Sequence, residues 1–225
     1  DVLGSRGLGD VYKRQLATPP LALEQCSVVA EDMAYYASGA LKKAIDCVME
    51  FDPKAAQEVR ESEDKTDKYE DMLGTYLLKL GAEPLSDAAS EEVTELLKLI
   101  GDFERIGDHA VNIIESAEEM HDKQLEFSRS AKYELSVMSA AVGEVMDLAV
   151  KAFAENDAQA ASCVEPLEQV VDDLKDELRT RHILRMKKGE CSIEAGFVWS
   201  DLLTNLERAS DHCSNVALCV LCLLY

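Results

Sequence analysis

The sequence predicts an all-α protein built as two tandem antiparallel three-helix bundles, six helices related by an internal pseudo-twofold repeat. Three observations predict this. Apolar residues recur at three- and four-residue steps through nearly the whole chain, and strand-like alternation is absent. Glycine is sparse, 11 in 225 residues, and falls mostly where a helix would end. A nine-residue pattern also occurs twice. Glu104-Arg105-x-x-Asp108-His109-x-x-Asn112 returns 103 residues later as Glu207-Arg208-x-x-Asp211-His212-x-x-Asn215.

The first helix runs from about Ala22 to Phe51. Asp52-Pro53 then gives a start signal, with Asp52 as cap and Pro53 in the first turn. The second helix reaches about Leu80, with Gly81 as its stop, and Glu83-Pro84 forms the loop. The third begins near Ser86 or Ser90, carries Glu104–Asn112 and ends around Met120. The fourth covers about Ser128 to Glu155. The fifth follows Asn156-Asp157 and reaches Lys187, where Lys187-Lys188-Gly189 closes it with positive charge. Pro166 inside it predicts a kink or a restart. The sixth begins near Ser192 and carries Glu207–Asn215.

The duplication extends upstream. At an offset of 105, Glu63-x-x-x-Asp67 matches Glu168-x-x-x-Asp172, and Asp52, Ala55, Ala56, Val59, Asp71 and Leu73 meet Asp157, Ala160, Ala161, Val164, Asp176 and Leu178. Residues i, i+4 and i+8 share a helix face, so Glu104, Asp108 and Asn112 form one polar ridge, and Glu207, Asp211 and Asn215 another. Arg105 and His109 are a further i, i+4 pair about a quarter-turn away. Carboxylates at i, i+4 repel by a few tenths of a kcal/mol. A metal ion, an arginine or water must offset that. If the two acid-bearing helices of each half are adjacent, four carboxylates meet on one seam. Oxygen-rich clusters of this kind suit Mg²⁺, Mn²⁺ or iron, with Zn²⁺ also accommodated. With 44 acidic residues, a single pair of this kind would carry no signal; four in register across a repeat do.

A net charge of −21 makes the chain a poor match for nucleic acid or anionic lipid and a good one for cations or a basic partner. Free phosphate is a poor direct ligand unless Arg105 or Arg208 acts locally. Both ends read as translated transposase-adapter sequence: Asp10-Val11-Tyr12-Lys13-Arg14-Gln15 at one end and Cys222-Leu223-Leu224-Tyr225 at the other. Residues 1–15 and 222–225 are therefore expected to be artefact, and the reading frame to be cut at both ends. Cys26, Cys47, Cys163, Cys191, Cys213 and Cys219 form no zinc-type cluster and read as reduced thiols. A di-iron carboxylate enzyme would need two E-x-x-H motifs on separate helices. One is present, Glu118-x-x-His121. No glycine-rich phosphate loop or nucleophile–base spacing stands out outside the adapter, so the expectation is a non-enzymatic protein.

These residues resemble the PhoU family of duplicated three-helix bundles with metal-binding E-x-x-x-D pairs. The resemblance is closest to the PhoU-like cytoplasmic region at the carboxyl end of sodium/phosphate cotransporters. Three stretches carry it: Leu16-Ala17-Thr18-Pro19-Pro20-Leu21-Ala22-Leu23-Glu24-Gln25, His182-Ile183-Leu184-Arg185-Met186 with Gly189-x-Cys191, and Asp201 to Arg208 leading into Asp211-His212-Cys213-Ser214-Asn215. It implies repeats at 16–121 and 126–221. It implies metal ligation by Glu63, Asp67, Glu104 and Asp108 in the first and by Glu168, Asp172, Glu207 and Asp211 in the second. Arg105, His109, Asn112, Arg208, His212 and Asn215 would support those ligands. Thr66 departs from the apolar residue the pattern calls for before Asp67; the second half has Val171 there. The implied role is regulation of phosphate transport at the cytoplasmic face of the inner membrane. The implied partner is the membrane transport domain of the same protein, with a homodimer allowed, no nucleic acid and no insertion into the bilayer. The alternatives are a standalone PhoU-type adaptor acting on a phosphate transporter and sensor kinase, and a carboxylate-bridged metalloenzyme.

Overall fold

The computed structural model describes residues 19–224, which form six helices joined by short turns. Helix α1 spans Pro19–Met49, α2 Pro53–Gly81, α3 Asp87–Asp122, α4 Arg129–Glu155, α5 Ala158–Lys187 and α6 Ile193–Leu224. No strand occurs among the described residues. The proposed adapter segment 1–15 lies outside them, while residues 222–224 extend α6.

Local chemistry sets the helix starts. Asp52 accepts from the Lys54 amide at 3.0 Å, with Pro53 occupying the position whose missing N–H costs nothing. Asp157, its repeat mate, accepts from the Gln159 and Ala160 amides. Ser86, Ser128 and Ser192 cap α3, α4 and α6 in the same way. Asn156 closes α4 in the left-handed region at φ 52°, which asparagine tolerates. Two expectations need correction. Gly81 is the last residue of α2 and the cap is Ala82, in ordinary right-handed backbone. Pro166 neither ends nor restarts α5, which runs unbroken from Ala158 to Lys187. Pro166 and Ser162, the residue one turn before it, are both exposed. The carbonyl freed by the missing N–H therefore lies on the solvent side of the helix.

In the first bundle α1, α2 and α3 pack on one another, and in the second α4, α5 and α6 do. The bundles join through α3 against α6 and α1 against α4. Helix α1 thus has three neighbours, and it meets them with a buried face rich in alanine: Ala22, Ala30, Ala34, Ala37, Ala40 and Ala44. Small side chains let helix axes approach closely. Two contacts reveal the symmetry. Lys42 on α1 pairs with Asp147 on α4, its own counterpart at an offset of 105. His109 on α3 stacks on His212 of α6, its counterpart at 103, with centroids 5.6 Å apart. A residue that touches its own copy lies near a twofold axis, so the inter-bundle seam carries the pseudo-twofold.

Candidate metal centre

Glu168 and Asp172 lie one turn apart on α5 and face α6, where Asp211 stands opposite. One carboxylate oxygen from each lies within 4.8 Å of the other two. This is the one such acid trio among the described residues. Burial, then Asp172 and Asp211, push Glu168 up to about 7. Crowding of carboxylates this close is what a bound cation would relieve, and three carboxylates suit a hard, oxygen-seeking ion. The residues therefore fit a divalent or trivalent metal.

The fourth expected ligand does not join them. Glu207 is held by Lys175, Nζ to Oε1 at 2.7 Å, with both side chains largely buried. Sequence reasoning missed Lys175. The repeat itself offered the signal, because Lys175 aligns with Glu70 in the first half.

In the first bundle the expected set Glu63, Asp67, Glu104 and Asp108 shares one seam but is not gathered as tightly. Burial and then Asp108 push both Glu63 and Glu104 above the usual carboxylate range. An arginine holds part of the set: Arg105 donates to Asp108 at 2.8 Å and lies 3.4 Å from Glu104. Its counterpart Arg208 is exposed and makes no ion pair among the described residues. Thr66 also finds its explanation here. It is fully buried, donates to the Glu63 carbonyl at 2.9 Å, and faces Gly107. A Cβ on Gly107 would stand 2.9 Å from Thr66 Oγ1, so α2 and α3 touch at this point. The second repeat has Val171 and Ser210 at the two matching positions, so the α5 side keeps its bulk while the α6 side gains a small side chain.

The histidines and asparagines of the motif face elsewhere. Asn205 donates its amide to the Asp201 carbonyl, which leaves Oδ1 as acceptor. Asn112 donates to that Oδ1 at 3.2 Å, and His109 Nδ1 lies 3.0 Å from it. In mirror fashion, His212 Nδ1 lies 2.8 Å from Asp102 Oδ1, and Asn215 donates to the same oxygen at 3.1 Å. Asp102 and Asn205 are repeat mates at an offset of 103. His109, Asn112, His212 and Asn215 thus knit the two bundles together across α3 and α6, bonding to the opposite bundle and not to the acids of their own. Burial holds His109 below the usual histidine range. The residues of the E-x-x-H motif part company: Glu118 accepts both Arg60 nitrogens, at 2.9 and 2.6 Å, and His121 packs on Phe51. The single E-x-x-H motif is thus engaged by Arg60 and Phe51.

A family model described as the PhoU domain matches residues 30–117 and 135–220, one match for each bundle. The chain belongs to the PhoU family. Among its PhoU relatives is the phosphate-specific transport system accessory protein PhoU homolog 1 of Thermotoga maritima, 27% identical over 186 residues, which span 82% of this chain and 79% of that protein. The corresponding Pseudomonas aeruginosa PhoU homolog is 27% identical over 177 residues, covering 77% of this chain and 72% of its own. The crystal structure of PhoU from Pseudomonas aeruginosa superposes with a TM-score of 0.75 at 24% identity, over 93% of this chain and 96% of that one. That of the phosphate transport system regulatory protein PhoU from Streptococcus pneumoniae gives 0.80 at 19%, over 92% and 97%. At such identities these two structures establish the fold alone.

The comparisons overturn one expectation. A membrane transport domain in the same protein was the expected partner, yet these relatives are named as accessory proteins of a transport system, and the likeness spans most of their length. What the chain resembles is a separate PhoU protein. None of these relatives' names is that of an enzyme. Among the described residues no helix is long and apolar enough to cross a membrane.

Proposed function

We propose that this chain is a metal-binding PhoU-type adaptor that regulates a phosphate transport system and the sensor kinase tied to it. The family membership and the relatives' names support the phosphate transport system as its setting. The convergence of Glu168, Asp172 and Asp211 carries the metal half of the reading. A cation there, Mg²⁺, Mn²⁺, iron or Zn²⁺, would supply the positive charge that Lys175, already paired with Glu207, does not bring to the trio. Asp211 and Glu168 would hold it from two helices, and so fix the angle between them. Regulation then proceeds through a surface whose shape depends on that angle.

Two measurements test the two halves separately. Elemental analysis of the 225-residue chain after equilibration with Mn²⁺ reads the site. Bound metal that disappears in Asp211→Asn supports it, and none bound removes it. Complementation of a bacterium lacking its own PhoU, read as restored control of phosphate uptake, tests the adaptor role. Failure of a stably folded chain to restore that control rejects it.

A further inference from the structure

The last turns of α5 and the first turns of α6 form a corner unlike the rest of the chain. The net charge of the protein is −21, yet residues 179–188 hold five arginines and lysines and no acid. Two of the five are used internally. Arg185 is buried and donates to Glu134 at 2.6 Å, and Arg181 pairs with Glu177 at 2.7 Å. Arg179, Lys187 and Lys188 are exposed, and no ion pair among the described residues engages them. Beside them large apolar side chains stand in water: Ile183 is 47% exposed, Ile193 65% and Phe197 68%. Ile193 and Phe197 are one turn apart and share a face of α6. The Met186 sulfur lies 3.0 Å from where a Cβ on the neighbouring Gly196 would stand, so the α5 and α6 parts of the patch are continuous. The acids bordering it include Glu190, Glu194 in the first turn of α6, where the helix dipole favours it, exposed Asp201 one turn beyond Phe197, and exposed Asp176 beside Arg179. The fold does not demand such a corner, because the first bundle has Gly74, Ala82 and Glu83 where Arg179, Lys187 and Lys188 stand.

We propose that this corner docks on an anionic lipid bilayer, with Lys187 and Lys188 meeting headgroup phosphates and Ile193 and Phe197 entering the interface. Charge complementarity selects that occupant. Exposed cations around apolar tips match a surface that is negative outside and apolar just beneath. A second copy of this chain is the poorer fit, since a symmetric contact would oppose like charges. The overall negative charge does not forbid the approach. Asp172, at the acid trio, lies 16 residues before Lys188, about 24 Å along the helix and more than two screening lengths at physiological salt. The docking surface does not depend on the carboxylate trio.

The test is co-sedimentation of the full chain with vesicles at physiological salt. The expected result is binding to phosphatidylcholine vesicles containing phosphatidylglycerol and none to phosphatidylcholine alone. Partition should fall about tenfold or more in Lys187→Glu/Lys188→Glu and, separately, in Phe197→Ser, with melting temperatures unchanged. Two independent exposed variants guard against one that misfolds. Absence of binding to the acidic vesicles overturns the proposal, as does binding that neither variant weakens. A patch-dependent change in oligomeric state without vesicle binding also overturns it, in favour of a protein partner.

Discussion

Lys175 Nζ stands 2.7 Å from Glu207 Oε1, at the place where the first repeat carries Glu70 instead. One charge reversal between the copies thus decides how many acids the second bundle leaves for a cation. Lys175→Ala should free Glu207 to become a fourth ligand. Calorimetric titration with Mn²⁺ is expected to show affinity severalfold tighter than the parent chain, while the metal-free protein loses about 1 kcal/mol. Unchanged or weaker binding would mean that Glu207 cannot reach the trio.

Glu168 predicts a pH dependence. Burial, Asp172 and Asp211 raise its folded value to about 7, above the roughly 4.3 of an unfolded glutamate. A group raised in the fold favours the fold below its unfolded value and withdraws that support as pH climbs through the folded one. The metal-free chain should therefore lose on the order of 1–2 kcal/mol between pH 5 and pH 8 from this site, after allowing for solvent screening. Denaturant titrations at the two pH values check it. Glu168→Gln should flatten the difference, and saturating metal should reverse it.

The seam predicts an asymmetric response at Asp102. Asp102→Ala strips the acceptor from both His212 and Asn215, for an expected cost of about 1–3 kcal/mol in urea unfolding. Asp102→Asn should cost much less, because Asn205 performs the same task for His109 and Asn112 on the other side. Equal losses from the two substitutions would show that charge, and not hydrogen bonding, holds the seam.

Gly107→Ala forces a methyl group to 2.9 Å from Thr66 Oγ1, in a buried contact with no slack. Overpacking of this kind costs about 1–3 kcal/mol. Thr66→Ala in the same chain should recover most of it, and the two changes should be clearly non-additive. Independent, additive effects in a double-mutant cycle would place the two residues apart.

Much of this architecture could be read from residue spacing. The 105 and 103 offsets anticipated two like bundles, and Asp52, Asp157 and the capping serines marked helix starts within a few residues. Pro166 misled because a helix tolerates proline where the freed carbonyl faces water, and burial is not written in the local sequence. At the acids, spacing put Glu168, Asp172 and Asp211 on facing ridges, but it could not foresee that a lysine one turn away would capture Glu207. Long flexible side chains choose partners by reach and burial, which depend on the finished packing. The motif histidines were expected to support the acids because they recur with them in both copies of the motif. Their true acceptors were legible only by aligning Asp102 with Asn205, a pair whose chemistry differs while its position matches.

Asp211 and His212 are consecutive, and about 100° of helix separates their directions. One looks into its own bundle and the other across to the sister bundle. Helix α6 is therefore an axle with a spoke on each side. Any pull that turns it toward a charge at Asp211 must also slide the stacked imidazoles, so neither half of the molecule can adjust its grip in private.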